Sequence, residues 1–318
     1  MAPNPQTVNA ARLHEHGKPL VVEPVDLPEP GEGEVRVELQ FAGVNPIDRY
    51  IAEGQVAAEG PLPRTLGGEA AGTADGAPVL VAGDGLGAAR DGLWAQAAVV
   101  PAGSVVGLPD GVAAREAAAM GIAGLTAFNV VRELARVQPE DRVVVLGASG
   151  GVGSMIVSLC DAVGATVWGQ TGSAEKVAPI EASGAARVVV CGADGVGEAL
   201  SDFEPTVVFD ALGGDFVQVV LDTIAPRGRL VSFGASAGQE IQINIQVLYR
   251  KMISLLGYGG IMLTPEERRP GLEAALEALR SGALRVRIDE VLPLEDVNDA
   301  FERLVGRRVQ GKLLLGLQ

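Results

Sequence analysis

The chain has 318 residues, 47% hydrophobic and 20% charged, enough to bury sizeable cores and, at about 100–200 residues per domain, to form about two domains. Its formal charge of −15, from 25 basic and 40 acidic residues, repels phosphate backbones and anionic membranes and so argues against nucleic-acid or membrane partners. No apolar run reaches the roughly 18 residues of a membrane span, Met1–Thr7 carries neither a basic nor an apolar leader region, and the only cysteines, Cys160 and Cys191, exclude a disulfide framework, which together point to the cytoplasm.

From Thr7 to about Val106 short alternating or β-branched runs, such as Glu34–Leu39 and Gln96–Val100, are broken by Gly and Pro clusters, the pattern of a β-rich region. His14 and His16 are expected on one face of a first strand, but no cysteine or carboxylate set completes a metal site, and they read as surface or hinge residues. The Gly-rich stretch Ala82–Gly92 is expected to be a mobile lid or a surface connection. From about Ala113, Ala-rich helical stretches alternate with Val-rich runs at Arg142–Gly147, Thr166–Gly169, Arg187–Val190, Thr206–Asp210 and Arg229–Gly234. Strands apolar throughout and separated by helix-length segments predict a parallel sheet covered on both faces. After Tyr258 the rhythm stops: a helix over Pro265–Ser281, a strand around Arg285–Val291, a helix near Leu294–Val305 and a last strand Lys312–Leu317 are expected. A nucleotide domain inserted between two pieces of a second domain accounts for this order, with pieces 1–120 and 258–318 flanking 121–257. Both cysteines read as small core residues.

The strongest local signal is Arg142–Ser154, an apolar strand entering Gly147-Ala-Ser-Gly-Gly-Val-Gly153 and then the helix Met155–Val163. Gly150 and Gly151 let backbone approach a pyrophosphate, Gly153 permits close helix–strand packing, and the first N–H groups of the helix bind the charge, with Ser149 and Val152 on the same loop. NAD-preferring sites place an acid at the end of the second strand. Here that end reads Gly169-Gln-Thr-Gly-Ser-Ala-Glu-Lys176; beside Gly172, Ser173 offers a hydrogen bond and Lys176 a charge to a 2′-phosphate, which favours NADPH. Ser173 also reads as a helix N-cap, with Glu175 and Lys176 in a solvated first turn, and the two readings are compatible. Gly147–Gly151 fits the G-x-S-x-G elbow of hydrolases as well, but that order requires a histidine after the serine and this chain has none there.

These residues resemble the quinone oxidoreductase branch of the zinc-independent medium-chain dehydrogenases/reductases, the group that includes ζ-crystallin. The likeness is carried by Gly43–Tyr50, Gly67–Gly72, Gly121–Ala127, Gly147–Gly153, Phe209–Gly214, Gly228–Gly234 and Gly311–Leu315. It implies an α/β architecture with a Rossmann doubly wound sheet inserted into a GroES-like β-barrel domain, and a cleft where the two meet. Zinc-dependent relatives carry a cysteine within the stretch equivalent to Ala42–Asn45 and a histidine at Gly68; this chain has neither, and no four-cysteine loop, so a metal-free site is expected.

By the same resemblance Asn45, Asp48 and Tyr50 line the nicotinamide end, with Asn45 holding the carboxamide or a substrate oxygen and Tyr50 donating a hydrogen bond or proton. The alternative makes Asn45 the N-cap of a helix whose first residue is Pro46, with Tyr50 packed on the barrel. The resemblance also assigns cofactor contacts to Thr126, Leu212, Phe233, Gly234 and Ala235, and a 2′-phosphate contact to Arg307. Cys191 stands where relatives often have a tyrosine beside the adenosine phosphate, and the Gly72–Trp94 segment is short, which opens the substrate side. The expected activity is NADPH-dependent hydride transfer to a quinone or an α,β-unsaturated carbonyl. Its rivals are an enoyl-thioester reductase, for which Arg64, Arg90 and Arg250-Lys251 are the basic residues on offer, and a non-catalytic NADPH-binding crystallin-like protein. The apolar run Met252–Leu256 is expected to be an edge strand pairing with a second subunit in a homodimer.

Overall fold

The computed structural model describes residues 6–56 and 60–318; Met1–Pro5 of the N-terminal reading lie outside them. In chain order the elements are β1 (Gln6–Leu13), β2 (Val21–Leu27), β3 (Glu34–Val44), α1 (Pro46–Ala52), β4 (Arg64–Thr65), β5 (Glu69–Ala74), β6 (Ala77–Ala82), β7 (Ala97–Pro101) and β8 (Val105–Gly107). Then come α2 (Ala114–Ala117), α3 (Leu125–Asn129), β9 (Arg142–Leu146), α4 (Gly151–Val163), β10 (Thr166–Thr171), α5 (Val177–Ala182), β11 (Arg187–Val190), α6 (Ala193–Leu200), β12 (Val207–Asp210), α7 (Asp215–Thr223) and β13 (Arg229–Ser232). The chain closes with α8 (Ile245–Lys251), β14 (Ser254–Gly257), α9 (Pro265–Arg280), β15 (Ile288–Pro293), α10 (Val297–Val305) and β16 (Lys312–Gly316). Among the described residues no helix is long and apolar enough to cross a membrane.

The chain divides into two compact units, one of Met1–Leu125, Ile261–Arg280 and Ile288–Gln318, the other of Thr126–Gly260 and Ser281–Arg287. In the first, a seven-stranded sheet runs β15-β16-β3-β5-β6-β8 with β7 also on β3, beside a small sheet β2-β1-β4. Strand β3 is its spine. It pairs with β7 over Glu34–Glu38, with β5 over Glu38–Ala42 and with β16 over Phe41–Val44, and its register with β5 shifts between Leu39 and Phe41. Such a bulge bends a strand and re-aims its end, here toward α1. Trp94 is fully buried, donates Nε1–H to the Gly43 carbonyl (3.1 Å) and packs against Phe301 at 5.6 Å between ring centroids; an aromatic pair adds ~0.5–1.5 kcal/mol to its burial.

The second unit holds a parallel sheet in the order β11-β10-β9-β12-β13-β14. Every neighbour pair is parallel, and the order reverses at β9, the switch point where doubly wound sheets bind ligands at strand C-termini. Val143–Leu146 and Val207–Phe209 are fully buried, as strands covered on both faces require. α4 ends at Gly164, whose φ of +90° is left-handed backbone that glycine adopts without a Cβ clash.

Four expectations are corrected. β1 stops at Leu13, so His14 and His16 share no strand; His14 Nε2 lies 2.8 Å from Glu23 and His16 Nδ1 lies 3.1 Å from the Ile51 carbonyl. The stretch Ala82–Gly92 is not a loose lid: Leu86 is buried, Thr65 N donates to Asp91, and Gly92 N and Leu93 N donate to the carbonyls of Thr65 and Gly67. A side chain at Gly92 would meet the Gly67 carbonyl at 2.4 Å, so its glycines serve close packing. The tail also does not return whole to the first unit, because Arg285 ties Ser281–Arg287 to the second through its N–H to Ser158 Oγ (3.0 Å) and its guanidinium to Asp161 (2.9 Å). Lastly, Lys176 is buried, not solvated.

Candidate active site

In the first unit, Asn45 follows β3 directly and caps α1, with Pro46 at the first helical position. Asp48, in the first turn, accepts the Asn45 N–H at 2.8 Å, so the reciprocal half of a capping box falls to a carboxylate one turn in. The Asn45 side chain also reaches beyond this cap. Its Nδ2 donates to Glu69 Oε1 (2.8 Å) and its Oδ1 accepts from Lys312 Nζ (2.6 Å). Lys312 Nζ also donates to Glu69 Oε1 (2.7 Å) and to the Val44 carbonyl (3.3 Å), which uses all three ammonium hydrogens. Glu69 Oε2 accepts the Ile122 N–H at 2.6 Å, from the π-helical turn Met120–Gly124 that precedes α3. None of Asn45, Asp48, Glu69 and Lys312 is more than 3% exposed.

Room for this cluster is made by glycines. A Cβ on Gly43 would lie 2.1 Å from Glu69 Oε1, and one on Gly121 would lie 2.8 Å from Glu69 Cβ. The motifs Gly43–Tyr50, Gly67–Gly72, Gly121–Ala127 and Gly311–Leu315 therefore meet at one buried point. Burial pushes the Asp48 carboxyl up to about 7; the Glu69 charge pushes the same way, while the Asn45 N–H and the Lys312 ammonium oppose it. Asp48 thus gains or loses a proton near neutrality. Tyr50 lies half-buried on α1, with the Arg49 guanidinium 5.5 Å from its ring centroid.

The second unit builds its site from backbone. Gly147, at φ +70°, turns the chain out of β9, and a Cβ on Gly153 would lie 2.4 Å from the Gly147 carbonyl. Gly153 thus lets α4 start against the strand, with Gly150 at its N-cap and Ser149, Gly151 and Val152 half-buried on the loop. The loop is pinned by Gln170, whose Oε1 accepts the Gly147 N–H (3.0 Å) and whose Nε2 donates to the Cys191 carbonyl (2.7 Å). The 13-residue helix α4 presents unpaired first-turn N–H groups, a cradle that fits a pyrophosphate. Beyond β10, Gly172 is exposed and Ser173 half-buried at the N-cap position of the turn Ala174–Lys176, without a side-chain cap bond. Burial raises the thiol pKa of both cysteines; Cys160 is core and Cys191 half-buried.

Past the switch point, Asp210 Oδ1 accepts the N–H groups of Leu212 and Gly213 (both 2.9 Å) and Oδ2 accepts the Ser232 hydroxyl (3.0 Å). One buried carboxylate therefore ties the turn of Leu212 to the strand end that leads into Phe233, Gly234 and Ala235, although burial still raises its pKa. Thr126 is half-buried on α3. Arg307 is exposed in the first unit, in the turn after α10. Of the basic residues named for a thioester carrier, Arg64 is buried and donates to the Gly60 carbonyl, and Lys251 is bound to the carbonyls of Asp222 and Ile224.

Sequence reading missed Glu69, Lys312, Gln170 and Asp210 as site residues. A signal was present for two of them: Asp210 and Lys312 are each the lone polar residue of a short strand that is otherwise small or apolar, a placement tolerated only where partners wait.

A doubly wound sheet with a dinucleotide cradle, inserted in the chain between the pieces of a separate sheet unit, is the architecture of a medium-chain dehydrogenase/reductase. The comparisons agree. The zinc-binding dehydrogenase family model matches residues 151–277. Quinone oxidoreductase 1 of Escherichia coli is 31% identical over 95% of this chain and 98% of its own. The quinone oxidoreductase structure from Pseudomonas syringae superposes with a TM-score of 0.85 at 30% identity, covering 97% of this chain and 99% of that one. A mycobacterial protein solved with NADPH gives a TM-score of 0.85 at 26% identity over 97% and 99%. The chain belongs to the quinone oxidoreductase branch of the medium-chain dehydrogenases/reductases and is an oxidoreductase of a nicotinamide-dependent family.

The matching family description carries zinc, and the residues here do not fit it. Among the described residues no group of three or more His, Cys, Asp or Glu side chains could hold a metal ion. A side chain at Gly68 would face Ile122 at 3.1 Å and Asp48 at 3.9 Å, and the Lys312 ammonium already supplies the positive charge at this point.

Proposed function

We propose that the protein is an NADPH-dependent reductase that delivers hydride to a quinone or to the β-carbon of an α,β-unsaturated carbonyl. The observation that carries this reading is a dinucleotide cradle in one unit together with, in the other, a proton-bearing carboxyl and a donor set unsuited to zinc. NADPH would be held by Ser149–Val152 and by Gly172, Ser173, Lys176, Thr126, Leu212, Phe233–Ala235 and Arg307, and when bound it supplies the hydride. Tyr50 donates a hydrogen bond to the acceptor oxygen as charge builds there, and Asp48 supplies the proton that completes the reduction. Asn45, its amide committed to Glu69 and Lys312, serves this site by position and not as a direct ligand of the carboxamide. Of the cations named for the thioester reading, Arg64 and Lys251 are committed to backbone carbonyls, which leaves Arg90 and Arg250 exposed.

We further read the edge strand β14, with Leu255 37% exposed beside Tyr249 and Met252, as pairing with a second copy in a cytoplasmic homodimer; light scattering at micromolar concentration should return the dimer mass. The function is tested by following NADPH and NADH oxidation in parallel with an ortho-quinone and a trans-2-enal. Faster turnover of NADPH with either acceptor is the expected result. Tight NADPH binding with no turnover of either acceptor points to the non-catalytic alternative.

A further inference from the structure

We propose that Lys312 and Glu69 form a buried ion pair that acts as a positioning device, orienting the Asn45 amide and governing the protonation of Asp48. The inference rests on the reading of Asp48 as the proton source. Neither Lys312 nor Glu69 reaches solvent, and their contacts are reciprocal: Lys312 Nζ has three acceptors, Glu69 Oε1 takes both Lys312 and Asn45, and Glu69 Oε2 is fixed by the Ile122 N–H. With both oxygens and all three ammonium hydrogens assigned, the Asn45 amide has one low-energy orientation, since a flip would set Oδ1 against the carboxylate and Nδ2 against the ammonium. The same residue's backbone N–H is the bond that holds Asp48 Oδ2, so the pair reaches Asp48 through Asn45.

A buried ion pair is a weak source of stability against an apolar replacement, and this one is made from strands 243 residues apart in sequence. Its placement is better explained by what it does to its neighbour. The charges that act on Asp48 are these two: Glu69 on β5 favours the neutral acid and Lys312 on β16 favours the carboxylate. They pull in opposite directions, so removing either charge alone unbalances the field at Asp48 in a direction set by the charge that stays.

The test is titration of Asp48 in the full-length protein by carbon NMR of 13Cγ-labelled aspartate, with Asp48→Asn assigning the signal. Glu69→Gln, isosteric and able to accept from Lys312, is expected to move the Asp48 midpoint down by about one pH unit, the scale of a nearby charge. Lys312→Met is expected to move it up by a similar amount, Lys312→Arg to leave it near wild type, and the neutral pair Glu69→Gln/Lys312→Met to bring it back toward wild type even if Lys312→Met alone does not fold. A midpoint unmoved by Glu69→Gln, or moved in the same direction by the charge-removing variants, overturns the proposal. The pH profile of NADPH-dependent quinone reduction, measured on the same variants, separates this inference from the function it rests on. If the profile follows the NMR midpoints, both stand; if the midpoints move as stated and the profile does not, the ion pair acts as inferred and Asp48 is not the proton source.

Discussion

The two units solve the problem of a polar site in opposite ways. The second makes its candidate site from backbone: Gly147, Gly150 and Gly153 strip side chains from a turn so that N–H groups and a helix end line the cradle, and Gln170 and Asp210 brace the turns from beneath. The first makes its site from side chains, with Asn45, Asp48, Glu69 and Lys312 delivered by α1 and three strands into a dry interior. A backbone site tolerates change in the residues around it as long as the glycines stay. A side-chain site in low dielectric is all-or-none, because every member is the partner of another.

That contrast predicts a hierarchy of effects. Lys312→Met should be the costliest single change, about 3–5 kcal/mol in urea unfolding, because it strands a carboxylate in the core; adding Glu69→Gln should recover much of that loss. Next comes the pH dependence of stability. The Asp48 carboxyl is raised by burial from the usual carboxylate range to about 7, so the stability its neutral form contributes is complete below about pH 4 and is lost as pH rises toward 7, at ~1.4 kcal/mol per pH unit. Asp48→Asn keeps an acceptor for the Asn45 N–H, and its unfolding midpoint should lack that decline relative to wild type over the same range. In the second unit, Gly153→Ala drives a Cβ into the Gly147 carbonyl and should cost about 1–3 kcal/mol, with weaker NADPH binding read by cofactor fluorescence. Smallest is Lys176→Met, expected to weaken NADPH about tenfold, the worth of one charge-assisted hydrogen bond of ~1.5 kcal/mol, while NADH binding holds; equal losses for both cofactors would remove Lys176 from the 2′-phosphate site.

The same contrast explains what could be read from the chain. The nucleotide cradle is local, a strand, turn and helix within Arg142–Val163, and its glycines declare themselves in order. The doubly wound sheet was legible because its strands are apolar throughout. The buried cluster was not, since Asn45 lies 24 residues from Glu69 and 267 from Lys312 and no local pattern joins them; only the resemblance drew attention to their motifs, and it singled out Asn45 and Asp48 without their partners. Ser281–Arg287 was hard to place for a similar reason, since Arg285 ties it to the second unit through Ser158, Asp161 and Ser183, more than 100 residues away. The Ala82–Gly92 glycines misled because flexibility and close packing select the same residue.

The division of labour between the units is the central claim, and the double variant Asp48→Asn/Tyr50→Phe tests it directly. NADPH affinity, measured by fluorescence titration, should stay within about twofold of wild type while turnover with an ortho-quinone falls about 100-fold or more, the range of a lost general acid. Turnover close to wild type would contradict the assignment of the chemistry to the first unit.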